Sequence, residues 1–225
     1  IVYASAFGRT GPKSNLGGYD PIAQGYSGLS FLTGEAGGPP MRAGGAIPVC
    51  DFMTGFAGAL GAVMALYRRD AGAAGHGATV DIALYDVAFR MLSPLLALQD
   101  LTDYTWKRDG NHSLGGAPTG HFQTSGGEWI CTSVQNDAQF KRLTAVIGCP
   151  EWLADKRFES LASRTRHRDA IEEVVARWIR ERSRDEVLAA FGDADLPAGP
   201  INSMADLARD DHIGRSTFWT VAGKR

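Results

Sequence analysis

The sequence predicts an α/β layer followed by a smaller α+β unit. Three observations carry that reading. The first hundred residues alternate strand-like and helix-like runs, the pattern of strands covered by helices. A polar, glycine-rich connector, KRDGNHSLGGAPTG (107–120), interrupts the alternation and reads as a domain boundary. Beyond it, a hairpin pattern leads into amphipathic helices.

Taken in order, IVYASAF (1–7) is a strand closed by the turn GRTGP. YDPIAQGYSGLSFLT (19–33) is a short helix broken at Gly25 or Gly28, and TGEAGGPPMRAGG is loop. Phe52 to Arg69 is a helix with a small-residue stripe at Gly55, Gly58, Ala62 and Ala65. Each interior glycine costs about 1 kcal/mol relative to alanine, so the stripe implies a backbone in close approach. Arg68 and Arg69 suit its negative C-terminal end. ATVDIAL alternates as a strand, and DVAFRMLSPLLALQDL is a helix kinked or restarted near Pro94.

In the second unit, GHFQT and EWICTSV flank SGG as a hairpin, and NDAQFKRLTAVIG is a helix. Ile171, Val174, Val175, Trp178 and Ile179 form one apolar face at helical spacing. Ser183 and Glu186 make a capping box before VLAAF. LPAGP is a rigid turn, SMADLARDD a short final helix, and FWTVAGKR is strand-like. Neither end looks natural: the chain starts without Met inside a strand and stops inside another, as a piece of a longer protein would.

Composition narrows the function classes. Lys and Arg number 23 against 25 Asp and Glu, a net charge of −2, so no basic field calls for nucleic acid or an anionic membrane. The run Phe52 to Tyr67 is short and glycine-rich for a membrane span. Cys50, Cys131 and Cys149 are odd in number and widely spaced, which points to reduced thiols in the cytoplasm. No signal peptide is visible.

The five histidines are scattered, with no HxH or HxxxH pair and no cysteine at ligand spacing, so no metal site is expected. A GxSxG elbow and a Walker loop are absent from the sequence. One acidic residue stands out in RAGGAIPVCDFMTG (42–55). Asp51 precedes the apolar helix, where it reads as an N-cap. The positive end of the helix dipole would also favour its ionised form, so a nucleophile or base is the other reading. Spacing alone leaves both open.

The stretches FGRTGP (7–12), GGYDPIAQGYSGLSFLTGE (17–35), PVCDFMTGFAGALGAVMAL (48–66), GHGATVDIALYDVAF (75–89), GGAPTGHFQTSGGEWI (115–130), NDAQFKRL (136–143) and LPAGPINSMADL (196–207) together resemble class III CoA-transferases. This is the group of formyl-CoA transferase, carnitine CoA-transferase and the related α-methylacyl-CoA racemases. The likeness covers nearly the whole chain but not the family's N-terminal portion, roughly its first hundred residues.

The resemblance implies part of a Rossmann-like large domain over residues 1–100, a glycine-rich linker over 101–116, a small α+β domain over 117–205, and the start of a return linker over 206–225. It also implies an interlocked homodimer. Asp51 falls where the family has its nucleophile, which passes through an aspartyl anhydride and an aspartyl-CoA thioester. Coenzyme A would come as the substrate acyl-CoA, with a small carboxylic acid as acceptor and no covalently bound cofactor. Backbone amides at the helix start would serve the oxyanions.

Ser5 and Phe7 fall where members line the CoA pocket, or are strand-end packing. Gly115 and Gly116 match a mobile glycine-rich segment over the site, or are an interdomain hinge. Arg9 meets a CoA phosphate or solvent. Racemases carry a histidine where this chain has Tyr19, and a tyrosine titrating near 10 is a poor base at neutral pH. Tyr19 therefore reads as a substrate contact in a transferase, and Asp20 as structural, a candidate cap. A racemase and a catalytically silent relative are the alternatives.

Overall fold

The computed structural model describes residues 1–72, 75–113 and 115–216. The chain divides into two compact units, Ile1–Gly110 and Asn111–Arg225. FWTVAGKR lies outside the described residues.

The first unit holds strand β1 (Val2–Ser5), helices α1 (Asp20–Ser27), α2 (Leu29–Leu32) and α3 (Val49–Ala71), strand β2 (Val80–Ala83) and helix α4 (Leu84–Thr102). Strands β1 and β2 pair in parallel, from Val2 opposite Val80 to Ser5 opposite Ala83. Helix α3 is the crossover between them, and its glycines allow the contact. A Cβ on Gly58 would lie 3.5 Å from Ile82 and 3.6 Å from Val2, and one on Gly61 would strike Val80 at 2.9 Å. Going up the helix therefore means going back along the strands. The N-terminus of α3 sits at the carboxyl ends of β1 and β2, the edge where open α/β sheets bind ligands.

Two boundaries differ from expectation, and a third falls at one of the two places expected. The helix read from Phe52 begins at Val49, a turn earlier. The break in residues 19–33 falls at Gly28, held at φ 91 in the left-handed region that glycine favours. Helix α4 runs through Pro94 unbroken. Pro94 has no N–H for the Arg90 carbonyl, and the Ser93 hydroxyl donates to that carbonyl instead at 2.8 Å. At 23 residues, α3 is the one helix among the described residues long and apolar enough to cross a membrane, longer than the run read from sequence. Here it packs on β1, β2, α1 and α4.

The second unit is built on an antiparallel sheet of β3 (Thr119–Gln123), β4 (Trp129–Ser133) and β5 (Ala198–Pro200). LPAGP is thus an edge strand rather than only a turn. Prolines tolerate an edge because an edge strand leaves one row of N–H positions unpaired. Helix α5 (Asp137–Ile147), a short 3-10 helix (Pro150–Ala154), α6 (Leu161–Arg166), α7 (Arg168–Arg180), α8 (Arg184–Asp193), α9 (Met204–Leu207) and α10 (Asp211–Ser216) complete it. The single final helix expected over 203–211 is α9, followed by a separate α10.

The two units bury different things. The core of the second gathers Phe122, Ile130, Phe140, Leu143, Ile171, Val175, Ile179 and Phe191 with five further apolar residues. The buried apolar cluster of the first is Ala23, Cys50 and Ala88. Its larger apolar side chains, including Phe52, Phe56, Leu60, Val63 and Tyr67 along α3, are exposed.

Candidate active site

The N-terminus of α3 brings the strongest candidate to the carboxyl edge of the strands. Pro48 is the N-cap of α3, so Asp51 is the third helical residue and not the cap. Its carboxylate makes no capping hydrogen bond, and the residue is exposed. The cap reading of Asp51 is corrected by its neighbour in space. Asp20, the first residue of α1, accepts the Cys50 N–H at 2.8 Å. A carboxylate thirty residues upstream thereby satisfies a helix-start amide that local capping would have left to Asp51.

Asp20 is 2% exposed and fully engaged. Its other oxygen accepts Gln24 Nε2 at 2.8 Å and Arg42 Nη2 at 2.9 Å. Gln24, one turn along α1, also brackets the backbone of Ala43. Its Oε1 accepts the Ala43 N–H at 2.9 Å and its Nε2 donates to the Ala43 carbonyl at 3.3 Å. Between those anchors the chain turns through Gly44 and Gly45, both at positive φ. Cys50 lies beneath, wholly buried. Burial, then the charges of Asp20 and Asp51, push its thiol up to about 11, so it stays neutral. The helix start offers an oxyanion fewer donors than expected: Asp20 takes the Cys50 amide and the Pro48 carbonyl takes that of Phe52.

The other sequence candidates divide by unit. The Ser5 hydroxyl ends β1 and accepts the Gly8 N–H at 3.0 Å, shaping the turn. Phe7 packs edge-on to Tyr26 with centroids 5.1 Å apart and lies 5.8 Å from Tyr85. Both therefore have packing work at the same strand edge as Asp51. Arg9 stacks its guanidinium over Tyr3 at 3.8 Å, and its N–H donates to Asp81. Tyr19 precedes α1, is 81% exposed and makes no capping bond.

Gly115 and Gly116 belong to the second unit. Gly115 is exposed, whereas Gly116 is buried, and a Cβ there would collide with Thr119 Oγ1 and with Ser133 Oγ. The division between the units falls after Gly110, a few residues before this pair. His112 Nε2 contacts Glu172 Oε2 at 2.9 Å beside them. Among the described residues, no three His, Cys, Asp or Glu side chains are grouped as metal ligands.

Asp20 is the structural cap that the sequence suggested, and the helix it caps is α3; Gln24, Arg42 and Pro48 are the site residues that sequence reading missed. The local signal was only the Asp-x-x-x-Gln spacing, which puts both side chains on one face of α1.

Comparison with known proteins gives this geometry its context. The model of CoA-transferase family III matches residues 1–224. The chain is 31% identical over 219 residues to the succinyl-CoA–L-malate CoA-transferase alpha subunit of Chloroflexus aurantiacus, covering 97% of this chain and 50% of that protein. It is 32% identical to the succinate–glutarate CoA-transferase of Agrobacterium fabrum, covering 95% and 52%. The crystal structure of a CAIB/BAIF family protein from Brucella suis superposes with a TM-score of 0.78 at 30% identity, covering 95% of this chain and 55% of that one. The chain thus spans about half the length of the curated relatives it matches.

Proposed function

The chain belongs to CoA-transferase family III, and from that premise we propose that Asp51 is the nucleophile of a CoA transfer between an acyl-CoA and a free carboxylic acid. The observation that carries the reading is the uncommitted carboxylate of Asp51. It stands in the first turn of α3, at the carboxyl edge of the parallel strands, and makes no capping bond. A carboxylate that is neither capping nor buried, in the positive end field of a long helix, is available as a nucleophile.

The steps balance without any group beyond the two substrates. An Asp51 oxygen attacks the thioester carbonyl. The carbon–sulfur bond breaks, CoA thiolate leaves, and an acyl-aspartyl anhydride forms. The thiolate attacks the aspartyl carbonyl and expels the donor acid as its carboxylate, leaving an aspartyl-CoA thioester. The acceptor carboxylate then displaces the thiolate to give a second anhydride. Attack of the thiolate on the acceptor's acyl carbon yields the new acyl-CoA and returns Asp51. One difficult exchange is divided into steps that each have a good leaving group.

The named relatives act with succinyl-CoA and malate, or with succinate and glutarate. Succinyl-CoA with a small dicarboxylate is accordingly the proposed substrate pair, with coenzyme A entering as substrate. Tyr19, exposed just before the α1 carboxylate, is proposed to meet the acid, and Ser5 and Phe7 to line the CoA path. The proposed working form is a homodimer in a reducing cytoplasm, consistent with three unpaired thiols.

The test is chemical trapping. Protein incubated with succinyl-CoA and then with hydroxylamine or borohydride should carry its modification on the peptide containing Asp51, and Asp51→Ala should carry none. Turnover that persists in Asp51→Ala without an adduct would sink the reading.

A further inference from the structure

A helix start with an acid at its third position normally uses that acid. The carboxylate folds back and accepts the N–H of its own N-cap residue. This chain does so at Ser183 with Glu186 and at Ser203 with Asp206, whereas Asp86, third in α4, instead accepts Arg90 Nε at 3.3 Å. Helix α3 has the acid in the same place and lacks the bond, for two separate reasons. Its N-cap is Pro48, which has no N–H to give. The Cys50 amide, two residues along, is already held by Asp20 from another helix.

We infer that Asp20, Gln24 and Pro48 form a positioning device that caps α3 from outside and keeps Asp51 uncommitted and aimed. The inference rests on the proposed role of Asp51 as nucleophile. Asp20 and Gln24 stand on one face of α1 and hold both ends of the connection that delivers Asp51. Gln24 clamps Ala43 by both backbone atoms, and Asp20 holds Cys50. The two side chains are 2% and 0% exposed and bonded to each other. Arg42 supplies the opposite charge that lets the Asp20 carboxylate be buried.

For a helix that needed only stability, a serine at position 48 would be simpler and better. The imported cap leaves the acid free, at the cost of a buried carboxylate that needs an amide donor and one cation to satisfy it. Gln24 fixes the loop, Asp20 fixes the first turn, and Pro48 prevents Asp51 from closing on itself. None of the three needs to touch a substrate.

Pro48→Ser provides the sharpest test, because it restores both a hydroxyl acceptor and an N–H at the N-cap. The full chain carrying Pro48→Ser should keep or raise its melting temperature while Asp51 becomes engaged in a capping box. The single-turnover rate of adduct formation per folded molecule should fall by about tenfold or more, with the acyl-CoA KM nearly unchanged, since misplacement of a reacting group acts on rate. Asp20→Asn, which keeps an oxygen for the Cys50 N–H but loses the charge facing Arg42, should slow the same step less.

Wild-type adduct rates in Pro48→Ser would overturn the inference, as would a loss of rate that merely tracks a loss of folded protein in both variants. Absence of any Asp51 adduct in the unsubstituted chain would overturn the functional reading itself, and the inference with it. That outcome is told apart by the unsubstituted control.

Discussion

At the start of α8, Glu186 stands three residues after Ser183 and accepts both its N–H and its hydroxyl, each at 2.8 Å. At the start of α3, Asp51 stands three residues after Pro48 and makes neither bond. The two helix starts hold an acid in the same position, and only one of them uses it for the helix. What differs is the source of the cap. Helix α8 is capped by its own neighbour in sequence, and α3 by Asp20 of another helix. A carboxylate at a helix start is therefore free for chemistry when something else satisfies the amides beneath it. The surroundings differ in the same sense. Helix α8 buries Val187 and Phe191 in a large apolar core, whereas the start of α3 rests on Cys50 and a web of polar bonds.

The largest way to break this comparison is to neutralise the two acids in turn. Asp51→Asn should lower turnover by about a thousandfold or more, as removal of a covalent nucleophile does. Glu186→Gln should leave turnover at the wild-type level. Steady-state kinetics on the two variants check this, and equal losses would erase the distinction.

The contrast in packing comes next. Phe191→Ala should destabilise the second unit by about 3–5 kcal/mol, the usual cost of removing a buried aromatic side chain. Phe56→Ala, at a position 76% exposed on α3, should change the stability of this chain by no more than about 0.5 kcal/mol. Denaturant titrations of both variants measure the difference.

Smaller still is the cap itself. Ser183→Ala should cost α8 about 1 kcal/mol, seen as earlier amide exchange at its first turn.

The smallest effect is in pH. Backbone and hydroxyl bonds from Ser183 hold the Glu186 carboxyl below its usual range, and those from Ser203, the hydroxyl first, do the same for Asp206. A carboxyl lowered on folding contributes stability above its unfolded pKa and loses it as the pH falls through its folded pKa. Acid titration of stability should therefore be slightly shallower in Glu186→Gln than in the wild type. An identical slope would show that the capping bond is not populated.

What was legible in the sequence was local. The apolar face of α7 is written in consecutive turns, and Ile171, Val175 and Ile179 are indeed fully buried. The Ser183–Glu186 box spans four residues, and the β3–β4 hairpin turns on Gly126 and Gly127. The small-residue stripe of α3 announced a close backbone, which Gly58 provides against Ile82 and Val2, whereas Gly55 faces open space and the tightest approach, Gly61 to Val80, lies outside the stripe as read. The cap of α3 was not legible, because its carboxylate is thirty residues away and no pattern links Asp20 to Cys50. Strand β5 was missed because its prolines read as a turn, and only pairing with β4 makes it a strand. The position of Asp51 in RAGGAIPVCDFMTG was plain from the start. Its freedom from capping needed the structure.

The most direct measurement follows an oxygen atom. In the proposed sequence, one oxygen of the acceptor carboxylate becomes the bridging oxygen of the second anhydride and remains on Asp51 when the new acyl-CoA departs. Turnover with a heavy-oxygen-labelled acceptor, followed by mass spectrometry of the digested protein, should place the label on the peptide that contains Asp51 and on none that contains Asp20. Continued turnover with no label on the Asp51 peptide would contradict the account.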